Sequence, residues 1–503
     1  MGDDDVDLEL LQLLRDSLGM SSAPQDGISS NTGVLKDAEY IYNNAIDVAI
    51  GMHGTKAASA HVYQAMQEQE YSTSAWSEQV LHPKSSEGFS DVDTVNFVFT
   101  MDLLNFSFWS DQSESERFQV DYRGRRWTGY QSLLACLRRA LDEGVTITTP
   151  RYWRSSQATD DALRQVFRSA THEDMPLLNE RIAILREAAG VLHDSFGDPN
   201  DTCRTLDVDI GDPADEREPA HTGAGVVDTA GLVTAAIVEK LEPDAATINA
   251  VPSSVPAEQE HAAADTSNLS PAGQEPAKPP STVSDEAHNT DQQPSLDTHD
   301  GVAREGAMVA EAATVAGCTP QEPPQPDMTV TRLIEQADHL AGKLVNLLAK
   351  HFSCFRDETR FDGRKVRLLK RAQIFVADLW AAFDGTGYGE FHDIGHLTMF
   401  ADYRVPQMLH SLGVLSYSPP LQYRITDRKE IPSGHSWEVQ LRGCSIWAVE
   451  LMRREIISQH PEAEGTVNAV LIDFFLYDLA KECEVGSGGT LVMPHHRTRN
   501  IWY

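Results

Sequence analysis

No phenylalanine, tyrosine or tryptophan occurs between Phe196 and Phe352. A chain cannot carry a core through such a stretch, because large apolar side chains supply most of the burial that offsets chain entropy. Residues Asp201 to Asp327 also hold 24 Asp and Glu against 5 Lys and Arg, and 14 of the 25 prolines. Few large hydrophobes, many prolines and one sign of charge describe a segment that stays unfolded. Within it, only Gly231 to Leu241 (GLVTAAIVEKL) has the pattern of a transient helix. The chain therefore divides into an acidic disordered tail (1–36), a first ordered block (37–200), a disordered acidic insert (201–327) and a second ordered block (328–503).

Charge and cysteines narrow the function classes. The net charge is −35, and the insert alone carries more than half of it. That balance argues against direct nucleic-acid binding, which needs many phosphate contacts. The six cysteines form no C-x-x-C pair, and Cys203 and Cys318 lie in the insert. A disulfide framework or a zinc site is not expected, and a reducing compartment is. The start, MGDDDVDLELLQLL, has no basic n-region; Val6 to Leu18 could form one short acidic helix. No run of 18 apolar residues is present, so no membrane span is expected. The expectation is a cytoplasmic monomer, with nuclear access open.

Outside the insert, apolar spacing is helical. AEYIYNNAIDVAIGM, AASAHVYQAMQEQ, GYQSLLACLRRALDEG and residues 175–196 supply helices to the first block, with Gly144 as a stop. RLIEQADHLAGKLVNLLAKHF predicts one long helix after the insert. KRAQIFVADLWAAF, PQMLHSLG, CSIWAVELMRREIISQ and TVNAVLIDFFLYDLAKEC follow. Val95 to Trp109 is nearly continuous hydrophobe and reads as a strand or a buried helix. A helix would put Asp102, Asn105 and Trp109 on one face. Hairpin signals are few. The expected fold class is all-α: a single helical body joining both blocks, interrupted by the insert.

Five ionisable residues sit inside segments that otherwise read as buried: Asp102, Lys370, Asp402, Arg442 and Asp473. A buried charge without a partner is costly or shifts its pKa until it neutralises. Five of them, flanked by aromatic and aliphatic residues, suggest a lined pocket with charges facing in, the usual form of a small-molecule site.

The strings DLLNFSFW, WTGYQSLLACLRRALDEG, KRAQIFVADLW, MFADYRVPQMLHSLG, LRGCSIWAVEL and PHHRTRNIWY occur in order from about residue 37 to Tyr503. Together they resemble the queuosine salvage protein family. The resemblance implies an N-glycosidase that hydrolyses queuosine 5′-phosphate to queuine, for salvage into tRNA, and ribose 5-phosphate. It implies an all-α fold similar to helical DNA glycosylases and no metal or organic cofactor. In the family pattern the Asp of ADYR, Asp402, is the catalytic carboxylate, and the Lys of KRAQ, Lys370, is its neighbour.

Breaking a C1′–N bond builds positive charge on the ribose, which a fixed carboxylate stabilises. Asp402 suits that role, although Asp also serves as a helix cap. Lys370 would hold it ionised. Asp473 would bind ribose hydroxyls or polar base atoms, or instead join an internal ion pair; Asp478 reads as surface. Asp102 and Asn105 could read the edge of a 7-deazapurine, which lacks N7 as a protonation point. Phe106, Trp109 or Trp447 could stack on its face, and Tyr403 completes the ADYR motif. For the 5′-phosphate, His495, His496, Arg497 and Arg499 offer cations, with Arg404 a further candidate. Two other readings are a DNA-repair glycosylase, which the acidic charge disfavours, and a non-catalytic queuine-binding module, which would not need both Asp402 and Lys370.

Overall fold

The computed structural model describes residues 27–197, 326–486 and 493–503. Helices dominate. The first block contains α1 (Val34–Asn44), β1 (Val48–Ile50), α2 (Met52–Glu68), α3 (Ser74–Glu78), α4 (Asp91–Leu103), β2 (Val120–Tyr122), β3 (Arg125–Trp127), α5 (Tyr130–Asp142), α6 (Pro150–Arg154), α7 (Asp160–Val166) and α8 (Leu178–Phe196). The second contains α9 (Thr329–Glu335), α10 (Ala341–His351), β4 (Glu358–Phe361), β5 (Arg364–Arg367), α11 (Lys370–Ala382), α12 (Arg404–Ser411), β6 (Leu415–Tyr417), α13 (Pro419–Thr426), α14 (Ser436–Gln459) and α15 (Ala469–Gly486). The described residues belong to one unit, and one hydrophobic core runs through both blocks. The insert between 201 and 325, its patch at 231–241, the helix expected at Val6–Leu18, and Cys203 and Cys318 lie outside the described residues.

The ambiguous segment after Val95 is a helix because of its start. Ser90 Oγ accepts from the Asp93 amide, and the Asp93 carboxylate accepts from the Ser90 amide, a capping box that launches α4. The helix ends at Leu103, so Asn105 and Trp109 do not share its face with Asp102. Two buried arginines receive that end. Arg371 donates to the carbonyls of Asp102 and Leu103, and Arg181 to those of Leu104 and Phe106. Cations at the negative end of a helix dipole compensate carbonyls that the helix leaves open.

The long helix expected after the insert is two helices. Asp338 and His339 adopt φ of 51° and 58°, which breaks the ladder. The Asp393 carboxylate then accepts from the Ala341 and Gly342 amides and starts α10 afresh. The all-α expectation also misses three two-stranded pairings: β1 with β6, β2 with β3, and β4 with β5. The β4–β5 turn is Asp362-Gly363, both at positive φ, a dipeptide that favours tight hairpins.

The ends of the expected tail and of the expected insert both dock on the body. Residues 28–33, inside the expected tail, dock on the body: Asn346 Nδ2 donates to Ser29 O at 2.7 Å and Arg367 Nη1 to Thr32 O at 2.6 Å. Asp327, inside the expected insert, is buried and accepts from the Thr329 and Arg151 amides at 3.1 and 2.7 Å.

α14 is the central element, packed by α1, α2, α12 and α15. Gly443 permits the α1 approach: a Cβ there would lie 2.6 Å from the Ile41 side chain. α4 and α11 pack against each other. Asp102 and Lys370 thus come from facing helices of different blocks.

Candidate active site

A short segment, Leu397 to Tyr403, leads into α12, and three helices hold it. From α11, Gln373 Oε1 accepts from Thr398 N and its Nε2 donates to Thr398 Oγ1, both at 3.0 Å. From α15, Asp473 Oδ1 accepts from Phe400 N at 3.0 Å. From α14, Arg442 Nε donates to Ala401 O at 2.8 Å. The residue that follows these anchors is Asp402. Its Oδ1 accepts from the Arg404 and Val405 amides at 2.9 and 3.1 Å, which starts α12. Its Oδ2 takes no hydrogen bond among the described residues. Capping and chemistry therefore do not compete: each uses one oxygen.

The same scaffold places Lys370. Asp357 accepts from Lys370 N at 3.1 Å and grips Arg442 through both oxygens, at 3.1 and 2.5 Å. Glu438 adds a contact to Arg442 at 3.3 Å, and the Tyr503 ring lies 4.3 Å over the guanidinium. Burial works against the Arg442 charge, but Asp357 and Glu438 outweigh it and raise its pKa. Arg442 is thus enclosed by partners and does not face a pocket, contrary to the sequence expectation. It positions the site from behind.

Around the Lys370 side chain the balance reverses. Lys370 is 5% exposed, yet its ammonium makes no ion pair or hydrogen bond among the described residues. Burial lowers its pKa, and the field of Asp402, Asp102 and Asp473 pushes the other way. Burial raises Asp402, opposed by Lys370 and by the two amides. It raises Asp473 far more, reinforced by Asp402 and opposed by the Phe400 amide. It pushes Asp102 up to about 7, opposed by Lys370, Asn105, Asp378 and Arg371. Asp378, against Asp102, is raised well above the carboxylate range by burial and by Asp102 itself. One lysine cannot keep three buried carboxylates and the half-buried Asp402 all ionised. Asp402, with two amides and the lysine, is the carboxyl whose charged form has most support, while burial and the nearby Asp402 favour the neutral form of Asp473. Neighbouring carboxyls pushed apart in this way are what acid–base chemistry needs.

The remaining expected residues divide. The Tyr403 ring lies 4.6 Å from that of His495, tilted by 33°. The field of Arg404 reaches both Asp402 and His495. His495 Nδ1 pairs with His496 O at 2.7 Å, and burial, then Arg404, lowers its pKa to about 3. His496 is 3% exposed, beside Tyr503 and Arg442. The three aromatics expected to stack on a base have their faces covered. Arg181 and Arg371 lie 4.1 and 4.8 Å over Phe106. Arg499 lies 3.6 Å and Arg497 5.3 Å over Trp109. Trp447 packs between Tyr42 and Arg454. Arg497 pairs with Asp111, and Arg499 donates to Trp109 O at 2.9 Å. Aromatic surface beside the carboxylates comes instead from half-buried Tyr403 and Phe474, the latter packed on Phe400.

Three groups escape the sequence reading. Asp357 looks like one charge among many in FRDETR, and Asp378 like a polar position of a helix. Asp478, expected at the surface, is half-buried: it accepts from Tyr71 Oη at 2.7 Å in the wall of an open cavity of about 280 Å³ along α15, lined also by Gln69, Gln79 and Lys481. Among the described residues no cluster of His, Cys, Asp or Glu has the form of a metal site, and no helix is long and apolar enough to cross a membrane. Cys136, Cys354, Cys444 and Cys483 are unpaired thiols.

Comparison with known proteins reads the same stretches as one family. Residues 81–206 and 320–503 match the queuosine salvage protein family. The chain is 30% identical to the queuosine 5′-phosphate N-glycosylase/hydrolase of Schizosaccharomyces pombe over 483 residues, 93% of this chain and 99% of that protein. It is 28% identical to the protein of that name from Nematostella vectensis, over 93% of this chain and 97% of the relative. The Sphaerobacter thermophilus protein of that name is 27% identical over 81% of each chain. Matched across both blocks on either side of the insert, this chain belongs to the queuosine salvage protein family.

Proposed function

We propose that this chain hydrolyses the N-glycosidic bond of queuosine 5′-phosphate, releasing queuine and ribose 5-phosphate. The observation that carries the reading is the pair Asp402 Oδ2 and Lys370 Nζ. Lys370 is fixed through its backbone amide and Asp402 through Oδ1, and both reactive atoms lack a partner among the described residues. A site of this kind is pre-organised for a ligand rather than for its own stability.

In this reading Asp402 faces the anomeric carbon and stabilises the oxocarbenium charge as the bond to the base breaks. Lys370 keeps that carboxylate ionised in a buried setting. Asp473, carrying a proton, hydrogen-bonds the ribose or the attacking water while its other oxygen holds Phe400 N. The base lies against Tyr403 and Phe474. Asp102 and Asn105 meet its polar edge, which matters because a 7-deazapurine offers no N7 to protonate. Arg404, which lies 3.4 Å from Gln407 Oε1 and whose field reaches Asp402, serves the phosphate.

The test is product analysis on the purified full chain with queuosine 5′-phosphate, queuosine and guanosine 5′-monophosphate. Free queuine is expected from the first substrate, less from the second, and no guanine from the third. No queuine from queuosine 5′-phosphate, or equal cleavage of guanosine 5′-monophosphate, overturns the proposal.

A further inference from the structure

Lys370 is aimed by a strained turn. Leu369, the residue before it, is fully buried and sits at φ 48° and ψ 37°, the left-handed region that a residue with a Cβ avoids. Such a conformation persists only where its surroundings over-determine it. Two residues do so here. Asp357 O accepts from the Leu368 and Leu369 amides at 3.0 and 3.2 Å, and the Asp357 carboxylate accepts from Lys370 N at 3.1 Å. Gln373, in the first turn of α11, takes the carbonyls. Its Nε2 donates to Leu368 O at 3.2 Å and its backbone amide to Leu369 O at 3.0 Å. Every backbone polar group of Leu368 and Leu369 is thus held by Asp357 or by Gln373.

The same two residues reach across to the segment that carries Asp402. Gln373 Oε1 accepts from Thr398 N, and Gln373 Nε2 donates to Thr398 Oγ1, both at 3.0 Å. Asp357 reaches the segment through Arg442, whose Nε donates to Ala401 O at 2.8 Å. Gln373 and Thr398 are both buried. The Gln373 amide has one workable orientation. Turned over, its NH₂ would face the Thr398 N–H and its oxygen the Leu368 carbonyl. One side chain therefore ties the turn before Lys370 to the strand of chain before Asp402.

We propose that Gln373 is a positioning residue for the cleavage: by bonding the Leu369 turn and Thr398 at once, it sets where the Lys370 ammonium stands relative to the Asp402 carboxylate. The inference rests on the roles given to Lys370 and Asp402 in the N-glycosidase reading. Without the Gln373 side chain, Leu368 O loses its donor and the turn at Leu369 is free to relax. Lys370 then shifts, while Asp473 and Arg442 still hold Phe400 and Ala401. Small displacements of reacting groups cost rate more than ground-state binding. Asp357 ties the same two parts, but its removal would strand the buried Arg442 charge. Gln373 therefore separates positioning from stability more cleanly.

The test is steady-state kinetics of the full-length chain on queuosine 5′-phosphate, well below each variant's melting temperature. Gln373→Met keeps the volume and the backbone bond to Leu369 O but removes the side-chain bonds. Its kcat should fall at least about tenfold, with KM within about threefold of wild type. Gln373→Glu offers a donor to Leu368 O only when protonated, so its rate relative to wild type should rise as pH falls. A residue that merely fills space would show no such pH dependence. Gln373→Met added to Asp402→Asn should cause no further loss, as for residues acting as a unit. Thr398→Val removes only the hydroxyl and should lower kcat at least about threefold with KM unchanged; it decides the matter if Gln373→Met does not fold. An unchanged kcat in the folded variant, a loss confined to KM, or a multiplicative loss with Asp402→Asn overturns the proposal. No queuine from wild type overturns the N-glycosidase reading and this inference with it. Queuine from wild type and equally from the variants overturns this inference alone.

Discussion

Two buried charge clusters lie side by side and obey opposite rules. Around Arg442, cation and carboxylates touch: Asp357 at 2.5 Å, Glu438 at 3.3 Å, with Ala401 O at 2.8 Å completing the guanidinium's partners. Around Lys370 the cation touches no carboxylate among the described residues, although Asp402, Asp102 and Asp473 all face it. The clusters come from different elements, yet Arg442, Glu438 and Asp357 are as buried as Lys370, Asp102 and Asp473, so burial does not separate them. Contact does. Matched, touching charges hold the backbone in one geometry; unmatched, separated charges store pKa shifts and leave atoms available to a ligand. The first cluster builds the second, because Arg442 fixes Ala401 and Asp357 fixes Lys370 N.

That contrast predicts what breaks each cluster. The largest effect should be on folding: Arg442→Met strands Asp357 and Glu438 and should cost about 3–5 kcal/mol of stability, measured by denaturant unfolding. A loss below about 1 kcal/mol would mean that the scaffold is held by other contacts.

The pH dependence of stability should differ in sign between the two regions. His496, beside Arg442, is held near 3 in the fold against an ordinary 6.5. The unfolded chain binds the extra proton, so this residue withdraws stability as pH falls from 6.5 towards 3. His496→Gln should flatten the acid side of the stability curve by up to a few kcal/mol. Asp102 runs the other way: it is raised from 3.8 to about 7, so the fold holds a proton that the unfolded chain releases, and stability falls as pH rises through that window. Asp102→Asn should remove this second slope. Parallel slopes in both variants would contradict the comparison.

Smaller effects separate the two sets of arginines. Arg404→Ala should reduce the preference for queuosine 5′-phosphate over queuosine by about tenfold, the worth of one charge-assisted contact. Arg497→Ala with Arg499→Ala should lower stability by roughly 1 kcal/mol through the loss of packing on Trp109, with little change in that preference. The reverse pattern in kcat/KM for the two substrates would put the phosphate at the C-terminal segment.

The sequence made the charges legible but not their partners. Asp102, Lys370, Arg442 and Asp473 stand out by their apolar flanks, and all four are buried. That Arg442 is enclosed while Lys370 is not depends on Asp357, 85 residues before Arg442 and indistinct among neighbouring charges. The covered faces of Phe106 and Trp109 follow from Arg371 and Arg499, which approach from distant chain positions. The break at Asp338 and His339 depends on Asp393, across 52 residues. The Asp362-Gly363 hairpin, by contrast, was written plainly in RFDGRK, and helical spacing on both sides hides so short an element.

The central claim is that the unmatched cluster around Lys370 serves chemistry rather than stability. Asp402→Asn tests it most directly, because the amide keeps an oxygen for the Arg404 and Val405 amides and removes only the charge. The measurement is the rate of queuine release from queuosine 5′-phosphate together with the melting temperature of the same preparation. The account predicts a loss of at least ~10²-fold in rate with melting unchanged or higher. A rate within a few-fold of wild type, or a marked fall in melting temperature, would contradict it.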